Sequence, residues 1–173
     1  MVHEGENCGF VSLWLGNFES EAQLDDYLNT VYWDFDNETE MEFQKKLSML
    51  LQPENAKRPI ENAFKKVYDE SYNQFEYDFA MFFDEDFMER VFFDKASNST
   101  SALIGKHSWY QTYKHEFIAL LGETLTKAYN AVVLIYDYRY NNSVKHIRHE
   151  RFEIEFMGAV PFEKIPPITY KSL

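Results

Sequence analysis

Asp84-Glu85-Asp86 is the strongest catalytic candidate in the sequence. Clustered carboxylates can hold a divalent cation, or separate their proton affinities so that one serves as acid and another as base. No histidine or lysine lies beside them, and the same triplet suits a capped turn between aromatic segments or an anionic patch that draws a basic protein. Catalysis, turn and partner contact all stay open. A second acidic run, Asp34, Asp36, Glu38, Glu40 and Glu42, reads either as a solvated helix entrance favoured by the helix dipole or as a contact face for a basic partner.

Other chemistry is sparse. Of the histidines His3, His107, His115, His146 and His149, only the last two are close, and their spacing of three sends them to opposite faces of a strand, although a helix would align them. The single cysteine, Cys8, excludes an internal disulfide framework and a cysteine-rich zinc site. No nucleophile elbow, Ser-x-x-Lys pair or phosphate-cradling glycine loop is present. The expectation is therefore no catalytic residue, no cofactor and no metal. Lys145 to Arg151 is a small basic stretch that reads as a solvated hairpin tip.

The elements that must position these groups belong to a chain of 173 residues, about one domain with a single core. Sixteen Phe, twelve Tyr and three Trp imply a large, rigid core and some aromatic surface. The net charge of −12 is uneven: residues 1–44 hold eleven acidic residues and no Lys or Arg, whereas residues 95–173 are net +3. Such a field repels polyphosphates and anionic lipid, so neither nucleic acid nor membrane is an expected partner. Met1 to Gly9 has no apolar signal region and no later run is long enough to span a bilayer, which predicts a cytoplasmic protein. The glycosylation acceptor patterns at Asn37 and Asn98 read as chance on that ground.

Phe10 to Leu15 reads as a strand buried on both faces. Ser20 with Gln23 predicts a capped helix over about 20–32. Two more helices are expected over about 39–51, ended by Pro53, and from Pro59 through Tyr68. Tyr72 to Phe93 predicts a helix, a tight turn at Asp84 to Asp86, then helix or strand, and Ser97 to Ser101 reads as a polar loop. Ser108 with Gln111 predicts a helix running to about Tyr129. Ala131 to Tyr140 and Phe152 to Phe156 alternate as strands, with a hairpin as the simplest connection. The pattern is α+β, an antiparallel sheet packed against several helices in a single domain, with residues 164–173 a peripheral tail.

At Val11-Ser12-Leu13-Trp14-Leu15-Gly16-Asn17-Phe18, followed by Ser20 and Leu24-Asp25-Asp26-Tyr27-Leu28, the sequence resembles the immunity protein 22 family of bacterial polymorphic toxin systems. Gln74 to Phe79, Phe83 to Glu89, Asn130 to Tyr136 and Phe156-Met157-Gly158 extend the resemblance over residues 10–35 and 73–163, while 37–71 falls outside it and reads as a helical insertion or a divergent region. The resemblance implies a cytoplasmic protein that binds and inactivates a toxin, protecting the producing cell. Independently, an acidic chain without catalytic signatures suits stoichiometric inhibition. A nuclease toxin needs a basic cleft, toward which an acidic inhibitor is steered at up to about 10⁸–10⁹ M⁻¹s⁻¹ at low salt. Both acidic clusters are then candidate toxin contacts, whereas Trp14, Gly16 and Asn17 are expected to determine the fold. The alternatives are a metal-dependent hydrolase built on Asp84, Glu85 and Asp86, and a self-associating structural module.

Overall fold

A computed structural model describes residues 9–32, 34, 36–43, 45 and 71–165. Cys8, His3, the expected helix after Pro59, the 46–51 part of the preceding one and residues 166–173 of the tail lie outside the described residues. In chain order the elements are β1 (Phe10–Asn17), α1 (Glu21–Leu28), β2 (Thr30–Tyr32), β3 (Ser71–Asn73), α2 (Gln74–Phe79), a 3₁₀ turn (Glu85–Phe87), β4 (Met88–Ser99), α3 (Thr100–Ile104), α4 (Tyr110–Leu121), β5 (Thr124–Tyr136), β6 (His146–Arg148) and β7 (Glu153–Pro161). Residues 40–43 and 45 are also helical. The fold is α+β, with a five-stranded sheet in the order β4-β5-β1-β7-β6 and a two-stranded ribbon of β2 and β3. β4 pairs antiparallel with β5, as do β6 with β7 and β2 with β3.

Several local expectations are corrected. The first helix stops at Leu28, and Val31 and Tyr32 pair instead with Tyr72 and Ser71. The Asn73 amide donates to Leu28 O at 2.8 Å and to Thr30 Oγ1 at 3.1 Å, so a distant residue closes this helix end. Ser97 to Ser99 is not a loop but the end of β4, and Ser99 caps α3. Ser108 does not cap α4; Trp109, in the left-handed region at φ 52°, occupies that position. That helix ends at Gly122 (φ 84°), and Leu125 to Tyr129 already belong to β5. No β5–β7 hairpin forms, because β1 lies between those strands.

The chain divides into two compact units: Met1–Leu15, Asp84–Asn141 and Phe156–Leu173, and Gly16–Phe83 with Asn142–Glu155. In the first, Val11, Leu13 and Leu15 of β1 share a core with Leu103 and Ile104 of α3, Tyr113 and Phe117 of α4 and Val132 and Leu134 of β5. Trp14 is fully buried, with its ring 5.3 Å from Tyr140 and 5.1 Å from Phe156. In the second unit Phe152 stacks on Phe18 at 4.6 Å and lies 4.8 Å from Tyr27, whose ring meets Phe75 edge-on at 5.8 Å. Ser20 caps α1 as expected, its oxygen accepting the Gln23 N–H at 3.2 Å, while Gln23 Oε1 accepts the Glu19 N–H at 2.8 Å.

Candidate functional site

The 34–42 acidic run is exposed except for half-buried Glu38. Two of its carboxylates shape their own backbone. Asp34 accepts from the Asp36 N–H at 3.2 Å and from the Asn37 amide at 2.9 Å, fixing a turn. Glu42 accepts from the Thr39 N–H and hydroxyl, each at 2.8 Å, and the Thr39 hydroxyl accepts the Glu42 N–H at 3.3 Å, which is a reciprocal helix cap. The Thr39 N–H, followed by its hydroxyl, holds the Glu42 carboxyl below its ordinary value. Phe43, only 3% exposed, pins this short helix. Tyr32 precedes the run and Met41 lies within it, and they are 62% and 77% exposed.

Asp84, Glu85 and Asp86 are all exposed and belong to the other unit. Asp84 caps the 3₁₀ turn by accepting the Asp86 N–H at 3.0 Å, and the Phe87 N–H donates to Asp84 O at 3.0 Å. Among the described residues the three carboxylates do not converge as a metal-holding group; the residues that do are His146, Glu153 and Glu155. Beside the turn, Phe87 carries the Lys164 ammonium 5.0 Å over its ring, and that lysine also pairs with Asp137.

Two polar networks, one partly buried and one buried, had no signal in sequence spacing. In the first unit Glu89 Oε2 accepts from the Ser108 N–H at 2.9 Å and the Tyr136 hydroxyl at 3.2 Å, and faces His107 Nδ1 at 3.2 Å. The Tyr113 hydroxyl lies 3.1 Å from that of Tyr136 and donates to Ser108 O at 3.0 Å. Burial holds the His107 imidazole below its ordinary value against the upward pull of Glu89, and pushes Tyr113 and Tyr136 up. Among the described residues, buried His107 Nε2 meets no hydrogen-bonding group. In the second unit Asp78 accepts from the Tyr27 hydroxyl at 3.0 Å and the Gln74 amide at 3.1 Å, and lies 3.0 Å from His149 Nε2.

His149 is thus a core residue rather than part of an exposed hairpin tip, its ring stacked 4.1 Å from Phe152. The arginines of the basic stretch meet acids: Arg148 reaches Glu153 at 3.1 Å, and Arg151 pairs with Glu19. A family model described as immunity protein 22 matches residues 11–163, nearly the whole described chain. The chain belongs to the immunity protein 22 family. Neither curated proteins nor solved structures give a match. The matched region of this family member contains both acidic clusters and both polar networks. Among the described residues no helix is long and apolar enough to cross a membrane.

Proposed function

We propose that the chain is an immunity protein that binds a cognate bacterial toxin stoichiometrically in the cytoplasm, without catalysing a reaction, and that the toxin is a basic nuclease. The match over residues 11–163 carries the reading. The distribution of charge supports its finer part, since residues 1–44 hold eleven acids and no Lys or Arg. Such a field accelerates encounter with a phosphate-binding cleft. Asp34, Asp36, Glu38, Glu40 and Glu42 are the first contact face, and Asp84, Glu85 and Asp86 the second. Exposed Tyr32 and Met41 supply what charge alone lacks, apolar side chains able to fill pockets at the centre of an interface ringed by polar groups.

The test is capture from the native lysate on the tagged chain, washed at about 0.1 M and then about 0.5 M salt, with retained proteins identified by mass spectrometry. One stoichiometric partner bearing a toxin domain is expected, retained at high salt by buried contacts. Absence of a partner from a lysate in which the toxin is present refutes the reading. Neutralising Asp36, Glu38 and Glu40 together should slow association with that toxin and flatten its salt dependence. An unchanged salt slope removes this run from the interface.

A further inference from the structure

We propose that His146, Glu153 and Glu155 form a binding site for a divalent transition-metal ion of the zinc type on the β6–β7 hairpin. The argument begins with register. His146 lies opposite Glu155 in the antiparallel ladder, and Glu153, two residues away, shares the face of Glu155. Three donors are therefore delivered to one face of the five-stranded sheet, at its β6–β7 edge, by backbone geometry alone. His146 Nε2 is 3.3 Å from Glu153 Oε2 and 3.7 Å from Glu155 Oε1, and one ligand atom from each of the three residues falls within 4.8 Å of the others.

Those spacings suit a small cation. For metal–ligand bonds of about 2.1 Å, the edge of a coordination tetrahedron is about 3.4 Å. Both nitrogen–oxygen separations are within a few tenths of an ångström of that length. The two carboxylates repel one another in the absence of a cation between them and are drawn together by one, so the remaining span contracts on binding. An imidazole nitrogen with two carboxylate oxygens favours zinc over magnesium or calcium, which prefer oxygen alone. Three protein ligands leave a fourth position for water or for a donor from another molecule.

Arg148 is the competing group. Its guanidinium reaches Glu153 Oε2 at 3.1 Å, but the side chain is 73% exposed and can turn into solvent. Metal and guanidinium thus compete for one carboxylate, which makes the site's affinity depend on a residue that is not a ligand.

The test is calorimetric titration of the full chain with zinc chloride in a non-coordinating buffer at about pH 7.5. One zinc per chain is expected, with a raised melting temperature and displacement of the His146 ring resonances. His146→Ala should abolish binding, and Glu155→Gln should weaken it by about tenfold or more. Arg148→Gln should tighten it, an effect that an ordinary cross-strand ion-pair ladder has no means to produce. The substituted His146 and Glu155 side chains are 42% and 27% exposed, so the metal-free variants should melt close to the wild type; His146→Gln serves if His146→Ala does not. No uptake at about 1 mM zinc overturns the proposal. An equivalent of zinc that persists in His146→Ala lies elsewhere and overturns it equally.

Discussion

Glu89→Ala tests the half-buried network of the first unit, and its cost follows from what each donor can do after the carboxylate is gone. The Ser108 N–H is near the surface and rehydrates. The Tyr136 hydroxyl retains Ser108 O as an acceptor at 3.0 Å. His107 has no such exit: its side chain is 1% exposed, Nδ1 loses its partner, and Nε2 has none among the described residues. Moving the proton from one ring nitrogen to the other gives no relief. One stranded buried polar group costs about 1–3 kcal/mol, and the two weakened bonds add a few tenths, so a loss of about 1–3 kcal/mol is expected in urea denaturation. The decisive comparison is Glu89→Ala with His107→Leu. Because the double variant removes the stranded group, it should recover most of the loss. A Glu89→Ala cost below about 0.5 kcal/mol, or simple additivity in the double variant, would refute the reasoning.

Acid sensitivity follows from the same pair. Burial holds His107 below the ordinary 6.5 in the folded chain, so the unfolded chain takes up that proton first; its contribution is complete above about 6.5 and declines as pH falls toward the folded value. His107→Leu should flatten the stability profile in that window. Glu89 is held below 4.5 because hydrogen bonds from Ser108 and the nearby His107 together outweigh its burial, so its contribution is lost only as pH falls below 4.5. Trp14→Ala, removing a fully buried side chain, should cost about 3–5 kcal/mol in the same assay; an unchanged melting temperature would contradict its burial. Gly16→Ala places a Cβ 2.8 Å from Glu153 O and 2.7 Å from Phe18 Cε2, and since the carbonyl belongs to the backbone of β7 a loss of about 1–3 kcal/mol is expected; a neutral result would mean that the strand can shift.

The residues that were legible in sequence act through their immediate neighbours. Val11 to Leu15 announces a doubly buried strand because both alternating sets are almost wholly apolar, and Ser20 caps a helix whose first turn lies beside it. The misread boundaries are set from far away. Leu28, Val31 and Tyr32 keep helical spacing, yet the chain turns into β2 because Asn73 takes Leu28 O and Tyr72 pairs with Val31. Ser108 has the spacing of a helix cap, but its N–H is drawn to Glu89, nineteen positions earlier. Gly122 was the available signal that α4 stops well before Tyr129, since its φ of 84° suits glycine above other residues. The place of β1 between β5 and β7 is a matter of sheet order, which alternation within each strand does not encode.

Charge was legible as a total and illegible as a division of labour. Of the eight acids singled out, Asp34, Glu42 and Asp84 accept hydrogen bonds from their own local backbone, and removing them would alter shape as well as field. Composition alone gives such residues the same weight as Asp36 or Glu85. Electrostatic steering sums over the whole field and changes modestly when a few carboxylates are neutralised, whereas retention at high salt depends on the few side chains that enter pockets. Loss of charge in the 34–42 run should therefore appear in the association rate, and loss of Tyr32 or Met41 in the dissociation rate. The exposure that singles out those two side chains is a property of the folded chain, which their residue types alone would have sent to the core.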